Sequence, residues 1–141
     1  MKKFKFLEHT ADAKFQAFGK SIEDIFKNSA LALREIITKD KVRNKFSEEF
    51  SIQIEGEDLE GGLQSFLENL LFLFETEFFI WKKVKQVWVK KNSKGYIFNF
   101  EVVGQKLKNQ KISAHVKAIT YNEMFVKKEG EKWIAQVVVD V

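Results

Sequence analysis

The sequence predicts a single α+β domain over residues 1–141, in which two helices pack on one face of a mixed or antiparallel sheet of short strands to give two layers. Two observations lead to this class. Apolar residues recur at helical spacing in two early segments, and they alternate at strand spacing around them and through the rest of the chain. The composition agrees, because 45% of the residues are hydrophobic and 31% are charged, as in a globular chain with its own core.

The first part of the chain predicts two short strands, a helix and a third strand. Residues 4–8 and 13–18 alternate between apolar and polar positions, with a bend between them. Ser21 and Asp24 have the spacing of a helix-capping pair, and the apolar stripe that follows them indicates a helix. Residues 50–54 alternate again and predict the next strand.

The clearest helix begins after Asp58, which is a suitable N-cap. Apolar residues from Leu63 to Phe74 fall on one helical face. Gly61 and Gly62 weaken the first turn of this helix, each by about 1 kcal/mol relative to Ala. The remaining chain predicts strands and two hairpin connectors: strands at 84–89, 96–103, 112–120, 124–128 and 133–139, and connectors at 92–95 and 129–131.

Several classes of site are excluded. The chain has no cysteine and two histidines, His9 and His115, which lie far apart, so zinc ribbons, iron–sulfur clusters, thiol nucleophiles and paired-histidine zinc motifs are absent. A phosphate-binding loop around Gly19 would need a second glycine where Lys14 stands. The N-terminus lacks a signal-peptide core, and no apolar run has the length to span a bilayer, so we expect a cytoplasmic protein without membrane contact.

Charge is unevenly distributed along the chain, whose net charge is +4. Residues 48–60 carry six acids and no base, and residues 82–94 carry six bases and no acid. The simplest interpretation is two solvated faces of opposite sign. An alternative is that the basic stretch binds RNA directly, because Trp88 is interleaved with its lysines.

Two aspartates stand at places where a charged site can form. Asp12 lies in the first bend, and Asp140 follows the last predicted strand, next to Val141. Taken alone, each has an ordinary explanation, because an Asp in a turn usually bonds its own backbone and many domains end in a carboxylate. His9 alone is more often a packing residue than a ligand.

Several segments, in consistent order from about Phe4 to Val141, resemble the archease family. They are Leu7–Asp12 with Phe18–Ser21, Glu55–Leu59 with Phe66–Thr76, His115–Tyr121, and the ending Val139–Val141. The chain departs from the family pattern at three places: Asn122 stands where the family often has His, Val141 replaces the usual Ile, and the loop 105–111 lacks the common Asp-Pro and His.

The resemblance implies an accessory protein rather than an enzyme. Archeases assist the RtcB-type RNA ligase of tRNA splicing and RNA repair by promoting guanylylation of the ligase, so RNA would be contacted only through the ligase. The resemblance also implies a divalent cation, calcium first and magnesium or manganese next, at Asp12, Asp140 and Val141. Lys117 and His9 are expected to serve activation and partner contact.

The chemistry of the implied site requires positive charge. Two carboxylates about 4 Å apart repel by roughly 4 kcal/mol at an effective dielectric constant near 20. Ligands that are all oxygen favour Ca²⁺, Mg²⁺ or Mn²⁺ over zinc. The ammonium group of Lys117 could instead neutralise the two carboxylates without a metal. Ser113, His115 and Lys117 share one face of a predicted strand and would form a polar patch there.

Two other functions remain open at this point. One is an RNA-binding or chaperone-like module. The other is a metal-dependent phosphoester hydrolase, for which His9 is the one candidate base.

Overall fold

The computed structural model describes the whole chain, Met1 to Val141. Its elements are, in order, β1 Phe4–Leu7, β2 Ala13–Gly19, α1 Ile22–Ile37, β3 Glu48–Gly56, α2 Leu59–Glu77, β4 Phe79–Asn92, β5 Gly95–Lys106, β6 Ala118–Glu129 and β7 Lys132–Asp140. All neighbouring strands are antiparallel. They form a four-stranded sheet of order β1-β2-β7-β6 and a three-stranded sheet of order β3-β5-β4.

The predicted α+β class with two helices is confirmed, but the strands form two sheets rather than one. Each helix contacts strands of both sheets: α1 packs on β2 and β4, and α2 packs on β3 and β6. The helices therefore join the sheets through one cluster of 29 buried hydrophobic residues. Alternation in the sequence indicates which face of a strand is apolar and carries no information on which strands pair.

Both predicted helix caps are present. Ser21 Oγ accepts a hydrogen bond from the main-chain N–H of Asp24 at 3.1 Å. Asp58 Oδ1 accepts one from the N–H of Gly61 at 2.7 Å. Each bond satisfies a donor that the first turn of a helix leaves free, and so it fixes where the helix begins.

Aromatic side chains form the centre of the core. The rings of Phe26, Phe66, Phe98 and Phe100 stack on one another, and the Phe66 and Phe100 centroids are 3.9 Å apart. A Cβ on Gly62 would lie 2.3 Å from the Phe98 ring. Gly62 is therefore required for close packing of α2 on the sheet, a role that the helix propensity of glycine does not indicate.

The strand predicted over residues 112–120 is wrong for most of its length. The chain has no regular structure from 107 to 117, and β6 begins at Ala118. The N–H of Ser113 donates to Ile37 O at 2.7 Å, and the N–H of Lys117 donates to Asp140 O at 2.8 Å. Because these backbone groups bond to the ends of other elements, residues 113–117 do not form a strand. Ser113, His115 and Lys117 are nevertheless all exposed and alternate with the half-buried Ala114 and the buried Val116.

The sequence predicts a break between the strands 112–120 and 124–128, and the structure has a bulge there. β6 runs on to Glu129, with an irregularity between Thr120 and Phe125 where Glu123 has φ 55°. Both hairpin connectors lie where they were predicted, at residues 92–95 and 129–131. Neither helix combines the length and the apolarity that a membrane crossing would require.

Candidate functional site

The pairing of β2 with β7 brings the two sequence-predicted aspartates to one end of a sheet. The pairing runs from Ala13 opposite Val139 to Gly19 opposite Trp133. Asp12 directly precedes this run and Asp140 directly follows it, and both are half-buried. The first bend and the end of the chain therefore lie side by side.

The two aspartates lie at the edge of the core and are half-buried. Burial does not alternate along the end of β7, because Val137, Val138 and Val139 are all fully buried. The side chain of Asp12, in the bend before β2, is 27% exposed. Water and a partner molecule can therefore reach this end of the sheet in part.

Lys117 lies beside this end of the sheet through its backbone. Its N–H donates to Asp140 O at 2.8 Å, and the next residue, Ala118, pairs with Asp140. The Lys117 side chain is exposed, and no carboxylate oxygen lies within 4.0 Å of its ammonium group. The closed Lys117–Asp network considered above is therefore not formed.

His9 stands between two acidic side chains. Its Nε2 is 2.9 Å from Glu123 Oε2, which is hydrogen-bond distance. Its Nδ1 is 3.7 Å from Asp12 Oδ2, which is too long for a hydrogen bond, and this nitrogen is buried without any partner. The Glu123 contact fixes the orientation of the ring and leaves Nδ1 on the side of Asp12.

Glu123 is part of this cluster, and sequence reasoning missed it. Its carboxylate accepts hydrogen bonds from His9 and from Lys14 Nζ at 3.3 Å, and these bonds hold the pKa of Glu123 below its ordinary value. Its main-chain carbonyl accepts from Gln136 Nε2 at 2.7 Å, and Gln136 Oε1 accepts from Gln16 Nε2 at 2.9 Å. The bulge that aims Glu123 at His9 has no signature in the sequence.

The donor set decides which cation this end of the sheet fits. No group of three or more His, Cys, Asp or Glu side chains lies in a position to hold a metal ion. Asp12 and Asp140 would therefore supply two carboxylates, and the terminal residue, backbone oxygens and water would have to supply the rest. Oxygen ligands alone are the set that Ca²⁺ takes, six to eight at a time, whereas structural Zn²⁺ sites use Cys and His side chains.

A model of the Archease protein family matches residues 4–141. Proteins named archease from Methanosarcina barkeri and Pyrococcus abyssi are 36% and 37% identical to the chain, covering 99% and 100% of it and 97% and 100% of their own lengths.

Two solved structures have the same fold. The solution structure of Methanobacterium thermoautotrophicum protein 1598 superposes with a TM-score of 0.86 at 33% identity, over the full length of both chains. A crystal structure from Thermotoga maritima, described as an archease and possible chaperone, superposes with a TM-score of 0.65 at 18% identity. It covers 97% of this chain and 96% of its own, and at that identity it supports the fold alone.

Proposed function

The chain belongs to the archease family, and we propose that it is a metal-binding accessory protein that activates an RtcB-type RNA ligase in tRNA splicing or RNA repair. In this proposal the chain catalyses no reaction itself. It promotes guanylylation of the ligase and so allows repeated turnover. Family membership supports the class of function, and the end of the sheet at Asp12 and Asp140 supplies a surface suited to it.

The observation that carries the proposal is the β2–β7 register, which sets Asp12 and Asp140 at one end of the sheet. Two neighbouring carboxylates are unfavourable unless positive charge joins them, and Lys117 does not supply it. Asp12, Asp140 and Val141 would hold a divalent cation, Ca²⁺ first and Mg²⁺ or Mn²⁺ next. When bound, that ion would add positive charge where nucleotide phosphates gather at the ligase.

The neighbouring side chains have separate roles in this proposal. Lys117 presents an ammonium group that is exposed and has no partner in the chain, so it is free to bind an acidic group or a phosphate of the ligase complex. Glu123 orients His9, whose ring lies beside Asp12 and is proposed to contact the partner through its exposed part.

The test is a guanylylation assay with the purified ligase, labelled GTP and the accessory protein in substoichiometric amount. Asp12→Asn, Asp140→Asn and Lys117→Ala should each lose at least about tenfold in ligase turnover, a loss of about 1.4 kcal/mol in transition-state stabilisation. Glu131→Gln, an exposed change in the distant β6–β7 connector, serves as the control and should stimulate normally. Folded site variants that stimulate like the wild type would show that this end of the sheet is not the activating surface.

A hydrolase has less support from the same geometry. Its one candidate base, His9, already bonds Glu123 through Nε2, and no third acidic or histidine side chain completes a metal group. We therefore expect the isolated protein to leave nucleotides unchanged in the presence of Mg²⁺. Turnover that disappears with Asp12→Asn would favour the hydrolase instead.

A further inference from the structure

Two neighbouring segments carry an excess of positive charge: the loop 39–45, and residues 105–111, which comprise the end of β5 and the loop after it. We call them the basic loop pair. Together they contain seven Lys and Arg residues and one Asp. Their net charge is therefore +6, whereas the whole chain carries +4. The rest of the molecule is net negative, so the basic loop pair is a localised cationic surface.

The basic loop pair is held in a defined conformation. Val42 is 2% exposed and anchors the first loop in the core. The N–H of Lys111 donates to Asp40 Oδ2 at 2.8 Å, and Gln110 Nε2 donates to Lys41 O at 3.4 Å. Because these bonds join the two loops, the backbone that carries the cations is held in place, and less conformational freedom is lost on binding than with a flexible loop.

The cations of the basic loop pair lack acidic partners. Of the seven, Lys106 alone has a carboxylate oxygen within 4.0 Å, that of Glu48 at 3.2 Å. Lys82 on β4 lies near Lys41, and its pKa is lowered by burial and then by the charges of Arg34 and Lys41.

The two loops enclose an open cavity of about 240 Å³ lined entirely by polar and charged side chains. Its walls carry the cations Lys41, Arg43 and Lys108 and the amides Gln105, Asn109 and Gln110, with Asp40 at the same wall. Lysine and arginine have no acceptor atoms, and the arginine fork matches two phosphate oxygens at once. The cavity therefore suits an anion with several oxygens.

We propose that the basic loop pair binds the phosphodiester backbone of single-stranded RNA directly, with Lys41, Arg43 and Lys108 as phosphate contacts. An alternative role for these cations is to stabilise the C-terminal end of α1 through the helix dipole. That effect acts only within the last turn, so it explains at most the cations next to the helix. Arg43 and Lys108 lie beyond that range in sequence.

An exposed aromatic side chain adjoins the basic loop pair. Phe46 follows the first loop and is 42% exposed, and Nζ of Lys83, on β4, lies 5.6 Å from its ring centroid. Glu48 and Glu49 line the same open cavity as this ring, so Phe46 stands at the border of the cationic surface. A base of a strand whose phosphates lie on the loops can stack on such a ring, which distinguishes RNA from an acidic protein as the ligand.

The basic loop pair also lies near the carboxylate pair. Lys111 is bonded to Asp40, and Lys117 is bonded to Asp140. The six residue steps from Lys111 to Lys117 span at most about 21 Å when fully extended. RNA that extends beyond the loops by a few nucleotides would therefore reach the surface that we assign to ligase activation. Direct RNA binding goes beyond the proposed ligase activation, which requires RNA contact by the ligase alone. Either proposal can fail without affecting the other.

The experiment measures binding of a fluorescent 20-nucleotide oligouridine to the full chain without ligase, as a function of salt. We expect binding at low salt with a slope of log K against log salt of about −2 to −4, since each phosphate contact on a single strand contributes about −0.7. The triple variant K41Q/R43Q/K108Q should lower the slope by about 2 and the affinity at 0.1 M salt roughly 100-fold.

The matched control is K90Q/K91Q/K94Q, which removes the same charge from exposed positions at the β4–β5 connector. It should bind RNA like the wild type. The proposal is overturned if the wild type does not bind at low salt, if the loop variant binds normally, or if the control loses binding instead. Polyglutamate that competes as well as unlabelled oligouridine would identify an acidic protein as the ligand and overturn it too.

Discussion

Asp12 and Asp140 stand one residue beyond the Ala13–Val139 pair, at the same end of adjacent antiparallel strands. Their proximity follows from strand pairing between the two ends of the chain and from no local motif. Because the two carboxylates meet only in the folded chain, their interaction should change the free energy of unfolding. The interaction should be unfavourable without a cation and favourable with one.

Neutralising one aspartate should have opposite effects with and without a divalent ion. In chelator-treated protein, Asp12→Asn and Asp140→Asn remove carboxylate repulsion and should raise the free energy of unfolding by about 1 kcal/mol, the value for a pair screened by bulk water. With Ca²⁺ at a hundredfold excess over its Kd, the wild type should gain about 2.7 kcal/mol that the variants lack. Urea unfolding of all three proteins in both buffers measures the difference. Variants whose stability follows that of the wild type in both buffers would show that the carboxylates do not share an ion.

Glu123 should make stability depend on acid pH. Hydrogen bonds from His9 and Lys14 hold its pKa below the ordinary value of 4.5. The carboxylate is therefore harder to protonate in the folded chain, and its stabilisation is complete above the unfolded-state pKa and is lost as pH falls through the folded-state pKa. Glu123→Gln cannot titrate, so it should be less stable than the wild type at about pH 6 and approach it below about pH 4.

Urea unfolding of both proteins at several pH values between these limits tests the Glu123 prediction. Glu129→Gln is a suitable control, because the acid it removes is exposed and contacts one lysine, Lys127, at 3.1 Å, and such a pair contributes little. A gap between Glu123→Gln and the wild type that stays constant with pH would contradict the assigned hydrogen bonds.

The two glycines at the start of α2 should respond differently to alanine. A Cβ at Gly62 would meet the Phe98 ring at 2.3 Å, so Gly62→Ala should destabilise the protein by about 2 kcal/mol through overpacking. At Gly61 the nearest atoms are Asp58 Oδ1 at 3.0 Å and Tyr121 Oη at 4.0 Å. Gly61→Ala should change stability by less than about 1 kcal/mol. Equal losses at both positions, measured by thermal unfolding, would mean that the ring of Phe98 moves freely.

Local chemistry could be predicted from the sequence, and long-range pairing could not. The caps at Ser21 and Asp58 depend on residues three apart, and their bonds form as predicted. The division into two sheets depends on which strands meet, which alternation does not encode. Glu123, which bonds His9, lies in a bulge of β6 and has a positive φ. The residues around it do not predict a bulge. The resemblance named the aspartates, and the strand register supplied the physical reason for placing them together.

Phe78 offers a final test, because its backbone conformation is unfavourable for its side chain. It ends α2 with φ 54° and is 62% exposed. The left-handed region costs a residue with a Cβ about 1 kcal/mol more than glycine, the usual residue there. Phe78→Gly should therefore raise the free energy of unfolding by about 1 kcal/mol, whereas Phe78→Ala keeps the strain and should not. Phe78 O accepts from the N–H of Leu107 at 2.7 Å, in the second loop of the basic loop pair. Because glycine keeps that carbonyl, the stabilised variant should bind RNA like the wild type. A gain with alanine equal to that with glycine would place the effect in the exposed ring rather than in the backbone.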